Sequence, residues 1–278
     1  EGANNLALIA RYGAGYDAVD VDACDRKGVL LTNTPDGVRR PVASSFMTFI
    51  LALSHNMMAK DRITRAGRWN EQMDHIGIGL TGRVVGMVGL GSIGHEVLNL
   101  AKPWGMRHIA YDPYVSQKDA DRVGAELVDL ETLMSTADFV CVCCLLNDET
   151  RNLINQERIS LMHENSFLIN ISRGPVVNQQ AITEALQERR IRGAALDVFE
   201  QEPIDDEHPL LKLDNVIVTP HAICMTDECF LLMGKSAIRS ALDVAEGNIP
   251  EHVINRSVIR DPRFQDKLGM YRLAHAAD

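Results

Sequence analysis

Arg173, Asp197, Glu202 and His221 are the residues of this chain whose types and positions invite chemistry. Arg173 follows the apolar run "FLINIS" (167–172), Asp197 and Glu202 bracket "DVFEQE" (197–202), and His221 closes "NVIVTPH" (215–221). A histidine titrates near neutrality and exchanges protons with a substrate hydroxyl; a carboxylate beside it holds the ring and stabilises the imidazolium. An arginine fork binds a carboxylate through two parallel hydrogen bonds and polarises a neighbouring carbonyl. Singly, each residue has a plainer reading: an ion-paired arginine, a solvated loop acid, a loop histidine. Together, at the ends of consecutive strands, they suit proton exchange at a carbon next to a carboxylate.

The elements that must position them form a regular series. The runs "RVVGMV" (83–88), "HIAYD" (108–112), "FVCVCCL" (139–145), "FLINIS", "GAALDVF" (193–199) and "NVIVTPH" read as strands. Helical patterns such as "GHEVLNLAKPW" (94–104) and "QAITEALQERR" (180–190) lie between them. Apolar strands alternating with helices predict a doubly wound parallel sheet, an α/β fold of the Rossmann type with six strands. All strands of such a sheet point one way, so the four polar residues meet at one edge. Gly174 then lets the chain turn closely past a ligand, and Pro175 ends the strand.

"GLGSIG" (89–94) follows the first of these strands and opens a helix. Gly89 makes the tight turn, Gly91 admits a pyrophosphate, and Gly94 lets helix and strand pack closely. The amides of Ser92 and Ile93 then face the phosphates at the positive end of the helix. Asp112, 18 residues past Gly94, accepts from the ribose hydroxyls and repels a 2′-phosphate, so the expected cofactor is NAD rather than NADP. Hydride transfer between a nicotinamide and a hydroxy or keto acid is the chemistry that this cofactor and those polar residues share.

Before residue 83, "LALIARYG" (6–13) reads as a strand, 17–28 as a helix and "VLLTN" (29–33) as a second strand. The stretch 41–66 reads as one long helix buried between lobes or subunits. Although 41–59 carries no formal charge, its serines, His55 and Asn56 argue against a membrane span. A second, smaller and incomplete flavodoxin-like domain is expected from 1–36 and 226–278, with the NAD-binding domain at 37–225. The net charge of −10 argues against a nucleic-acid partner. The six cysteines have neither zinc nor disulfide-framework spacing and read as reduced thiols, which points to the cytoplasm; no metal site is expected.

Seven stretches resemble the D-isomer-specific 2-hydroxyacid dehydrogenases. They are "RYGAGYDAVDVDAC" (11–24), "LLTNTPD" (30–36), "LTGRVVGMVGLGSIG" (80–94), "NDETRNLIN" (147–155), "INISRGPVVNQQAI" (169–182), "GAALDVFEQEP" (193–203) and "NVIVTPH". The resemblance implies Arg173 as the substrate-binding arginine, Glu202 as the partner acid, His221 as the acid/base, and Asp197 as a contact of the nicotinamide carboxamide. It implies that amides of Ala14 and Gly15 bind the substrate carboxylate, and that the 41–66 helix forms a two-fold homodimer. Departures are Leu145 for a common proline, Ser44 for a common glutamate, and "AICMT" after His221.

Family members carry two strand–helix units before "RYGAGYD"; their absence here predicts a less stable smaller lobe with an exposed strand edge. The expected activity is NAD-dependent interconversion of a small D-2-hydroxy acid and its 2-keto acid, such as glyoxylate, hydroxypyruvate or 3-phosphohydroxypyruvate. The alternatives are an NAD-binding corepressor-like module, a formate dehydrogenase (which replaces the glutamate by glutamine), and a chain that binds NAD without turnover.

Overall fold

The computed structural model describes residues 5–275. Residues 1–4 and 276–278 of the smaller domain expected from the sequence lie outside them. The chain divides into two compact units, Glu1–Pro41 with Cys224–Asp278, and Val42–Ile223.

The first unit contains β1 (Leu8–Ala10), α1 (Val21–Lys27) and β2 (Leu30–Thr32), and it takes back the end of the chain as α9 (Asp227–Ala245) and α10 (Pro262–His275). α2 (Pro35–Ser54) starts here. β1 and β2 pair in parallel, Leu8 opposite Leu30. Its core is small: Ala7, Leu30, Val244, Val253, Val258, Phe264 and Leu268. Polar side chains supplement it. The Lys267 ammonium donates to the carbonyls of Leu6, Lys27 and Gly28 at 2.9–3.1 Å. Asn255 accepts from Leu31 N–H and donates to Val29 C=O and Asp25 Oδ1.

The second unit is a parallel sheet of seven strands in the order β5-β4-β3-β6-β7-β8-β9. These are β3 (Val84–Val88), β4 (Arg107–Tyr111), β5 (Ala125–Leu127), β6 (Phe139–Val142), β7 (Phe167–Asn170), β8 (Gly193–Leu196) and β9 (Val216–Val218). Its helices are the rest of α2, then α3 (Met57–Arg65), α4 (Ser92–Ala101), α5 (Gln117–Ala120), α6 (Leu130–Thr136), α7 (Gln156–Ser160) and α8 (Gln179–Gln187). Alternate residues of each strand face opposite layers, as the two-residue strand period requires. Val84, Val88, Val140, Val142, Leu168 and Leu196 pack with α6, α7 and α8. Val85, Met87, Phe139, Phe167 and Ile169 pack with α2 and α4. Cys141 and Cys143 fall in the second layer and Cys144 beside the first. Burial holds all three thiols protonated, pushing Cys143 up to about 12 and Cys144 to about 11.

Three expectations from the sequence change. The sheet has a seventh strand, β5, a three-residue edge too short to read from periodicity. The segment 41–66 is two helices bent by 57°. The break is at Asn56, in the left-handed region at φ 49°, whose amide caps the carbonyls of His75 and Ile76. No single helix among the described residues is long and apolar enough to cross a membrane. Third, Gly174 does not clear a path for a ligand. A Cβ there would lie 1.9 Å from the Phe199 carbonyl, so its missing side chain is what brings the Arg173 turn onto the backbone after β8.

Candidate functional site

The ends of β7, β8 and β9 are adjacent in the sheet, and each runs into a turn that carries polar residues. Arg173 follows β7, half-buried, with Nη1 donating to the Ser172 carbonyl at 2.8 Å. Ser172 in turn donates its hydroxyl to Cys144 C=O beyond β6. Asn170, the last residue of β7, folds its amide back onto the Arg173 carbonyl at 3.0 Å. The turn is thus fixed on both sides of the arginine.

Glu202 and His221 form a pair. The imidazole Nδ1 lies 2.7 Å from Glu202 Oε2, and Phe199 N–H donates to Oε1 at 3.1 Å. Both side chains are part-exposed, 45% for His221 and 38% for Glu202, so they are open to a reactant. Nδ1 is committed to the carboxylate, which leaves Nε2 as the nitrogen available to a substrate. His221 adopts φ 53°, a strained conformation for a residue with a Cβ.

Asp197 holds that conformation. It is 1% exposed, and its Oδ1 accepts from the Thr219 hydroxyl at 2.6 Å and from the N–H groups of Ala222 and Ile223 at 2.9 and 3.1 Å. Its backbone carbonyl accepts from His221 N–H at 2.8 Å. The buried carboxylate therefore fastens the turn on both sides of the histidine, a role the sequence did not disclose. Thr219 was missed with it; a hydroxyl two residues before a loop histidine is too common to be a signal.

The glycine turn lies between β3 and α4. Gly89 has φ 97°, and a Cβ on it would stand 2.8 Å from Cys144 N. A Cβ on Gly94 would meet the Gly89 carbonyl at 2.6 Å. A Cβ on Gly91 would meet nothing within 4 Å, so the space beside it is open to a ligand. No side chain caps α4, and the N–H groups of Ser92 and Ile93 donate to no described residue. Asp112, just past β4, accepts from Leu90 N–H at 2.8 Å through Oδ2 and from Tyr114 N–H at 2.9 Å through Oδ1. Each oxygen keeps a second lone pair, so the carboxylate both braces the glycine turn and remains able to accept from a ribose. Open space at Gly91, free amides at a helix N-terminus and an acid beyond the neighbouring strand fit a dinucleotide.

In the first unit, "RYGAG" (11–15) follows β1. Thr34 holds Gly13 from both sides, its hydroxyl accepting from Gly13 N–H at 2.8 Å and its own N–H donating to Gly13 C=O at 3.0 Å. Asn33 Nδ2 donates to Ala14 C=O at 2.8 Å. The N–H groups of Ala14 and Gly15 donate to no described residue. Two successive free amides on a pinned loop are an anion-binding arrangement.

A family profile described as "D-isomer specific 2-hydroxyacid dehydrogenase, NAD binding domain" matches residues 47–222. A D-3-phosphoglycerate dehydrogenase of Methanocaldococcus jannaschii is 40% identical over 97% of this chain, which spans 50% of that protein's length. A glyoxylate reductase of Korarchaeum cryptofilum is 37% identical over 95% of the chain and 81% of its own length. Among solved structures, a D-lactate dehydrogenase of Aquifex aeolicus, complexed with NAD and lactic acid, superposes with a TM-score of 0.81 at 28% identity, covering 92% of this chain and 79% of that one.

Proposed function

The chain belongs to the D-isomer-specific 2-hydroxyacid dehydrogenase family, and from that premise we propose that it interconverts a D-2-hydroxy acid and its 2-keto acid with NAD. The observation that carries the proposal is the His221–Glu202 pair at 2.7 Å, with Nε2 left for the substrate.

When bound, the dinucleotide supplies or accepts the hydride at the reacting carbon. In the direction of reduction, Arg173 holds the substrate carboxylate and polarises the adjacent ketone. His221 delivers the proton from Nε2 to the carbonyl oxygen as that oxygen becomes a hydroxyl, while Glu202 stabilises the imidazolium before transfer. In oxidation the same nitrogen takes the hydroxyl proton. Asp197 keeps the histidine in place, the role that its four hydrogen bonds support, and a nicotinamide contact by the same carboxylate is an additional proposal. Gly89, Gly91, Gly94 and the Ser92 and Ile93 amides serve the pyrophosphate, and Asp112 the adenosine ribose. The Ala14 and Gly15 amides serve the substrate carboxylate.

A homodimer is part of the proposal. Met57 and Met58 of α3, and Trp69, Met73 and Ile76 in and just after the 3-10 helix Trp69–His75, are 52–68% exposed. So many large apolar groups within twenty residues of chain support a covered surface.

Glu202→Gln tests the pairing. It preserves size and a hydrogen-bond acceptor but removes the charge that favours the imidazolium. We expect kcat for reduction to fall about 10- to 100-fold with KM for NADH little changed. A kcat within about 2-fold of the wild type removes Glu202 from this role.

A further inference from the structure

Two thiols close to the His221 turn have no part in hydride transfer: Cys224 and Cys229, three and eight residues past the histidine. Both are reduced. Thr226 folds the segment between them. Its N–H donates to Cys224 C=O at 2.9 Å, and its hydroxyl, as the N-cap of α9, accepts from Cys229 N–H at 3.1 Å. The two side chains meet, the Cys224 thiol being a hydrogen-bond partner of the Cys229 thiol. Cys229 is fully buried in the first turn of α9, whereas Cys224 is half-buried and open to a small reagent. Burial pushes the Cys229 thiol up, so reaction with an oxidant begins at Cys224.

The residues just before Cys224 are the ones that Asp197 fastens. Its Oδ1 accepts from the N–H groups of Ala222 and Ile223, and Cys224 follows, where the chain passes from the second unit to the first. A disulfide brings its sulfurs closer than a thiol hydrogen bond does. Cys229 is held by its helix and its burial, so the turn at Cys224 takes up the movement. That movement draws Ile223 and Ala222 off the carboxylate, and the strained backbone of His221 loses its fastening.

We propose that Cys224 and Cys229 are a reversible disulfide pair, closed by a hydroperoxide, and that closure loosens the His221 turn and lowers turnover. The Cys224 sulfur attacks the peroxide oxygen, the O–O bond breaks, an alcohol or water leaves, and Cys224 becomes a sulfenic acid. The Cys229 sulfur then displaces the hydroxyl from Cys224, the S–S bond forms, and water leaves with the thiol proton. Two thiols are oxidised by two electrons as the peroxide is reduced, and a dithiol reverses the change by exchange. The loss of turnover rests on the dehydrogenase reading; the disulfide and the loosened turn do not.

The test treats the reduced full-length protein with hydrogen peroxide and follows three readouts in time. The tryptic peptide 213–235 holds both thiols and no other cysteine. Without reductant it should become lighter by about 2 Da, distinct from the gain of about 16 Da at Met225 or Met233. Hydrogen exchange at the Ala222 and Ile223 amides should quicken about 10-fold or more. NADH consumption with a panel of 2-keto acids should fall at least about 10-fold over the same time course, and dithiothreitol should restore it to within about 2-fold. Cys224→Ser and Cys229→Ala should each turn over within about 2-fold of the wild type and keep that rate under peroxide. A peptide that never becomes lighter, exchange or turnover unchanged in the disulfide form, or variants inactivated as fast as the wild type, overturn the proposal. A reduced wild type that turns over no keto acid defeats the dehydrogenase reading, and the mass and exchange results then decide the thiol pair alone.

Discussion

The two units supply chemistry in different ways. In the second, the proposed reactive groups are side chains hung at the ends of β7 and β8, which are buried on both faces, and of the half-buried edge strand β9. In the first, they are mainly backbone N–H groups on a loop that follows a strand of three residues. The second unit keeps its site in place through two thick apolar layers and one buried carboxylate, Asp197. The first has one small apolar cluster, and polar side chains from late in the chain, Lys267 and Asn255, secure its two strands. Side chains on a rigid sheet are vulnerable to their own replacement; amides on a loop are vulnerable to loss of whatever pins the loop.

Substitutions can break or sharpen that contrast. The largest effect is expected from His221→Ala, which removes the proton donor without disturbing the glycine turn. We expect kcat to fall about 10²- to 10⁴-fold with NADH affinity, measured by fluorescence titration, unchanged. Asp197→Ala comes next. It leaves the part-buried amides of Ala222 and Ile223 without an acceptor and frees the His221 turn. A freed turn misplaces the imidazole and costs about 10²-fold in kcat, read in the NADH assay.

Lys267→Met probes the other unit. Three carbonyls lose their common donor, so we expect about 2–3 kcal/mol of local destabilisation. Hydrogen exchange should quicken at the β1 and β2 amides and stay unchanged in β3 and β6. Uniform quickening across both units would erase the contrast. The smallest effect is expected from Thr34→Val, which removes the acceptor of Gly13 N–H. About 1 kcal/mol is lost, read as a several-fold rise in keto-acid KM at constant kcat.

The same contrast governs what was legible in the sequence. The second unit could be read because its strands are apolar runs of ordinary length and its glycine turn has fixed spacing. Strand direction alone then brings Arg173, Glu202 and His221 to one edge. What escaped depends on non-local packing. β5 is three residues at the edge of the sheet, where periodicity has no room to show. The bend at Asn56 has no proline or glycine to announce it, although asparagine does tolerate the left-handed region. That Asp197, expected to contact the nicotinamide carboxamide, also pins the His221 turn could not be read, because the sequence gives no sign of the three donors that converge on its Oδ1. Gly174 was assigned to ligand clearance for the same reason, since the Phe199 carbonyl that occupies its side-chain space is 25 residues away in sequence. In the first unit, the 11–24 motif disclosed the loop, but not the clasp of Thr34 on Gly13.

The central claim is hydride exchange between NAD and a 2-hydroxy acid with the hydroxyl proton passing through His221, and one assay addresses it directly. Purified full-length protein is given NADH and a panel of 2-keto acids, and the loss of NADH absorbance is followed beside chiral analysis of the product. The account predicts stoichiometric consumption with at least one keto acid, formation of the D-hydroxy acid, and near-complete loss of both with His221→Ala. An inert wild type, an L-hydroxy acid product, or full activity in the His221→Ala protein would contradict it.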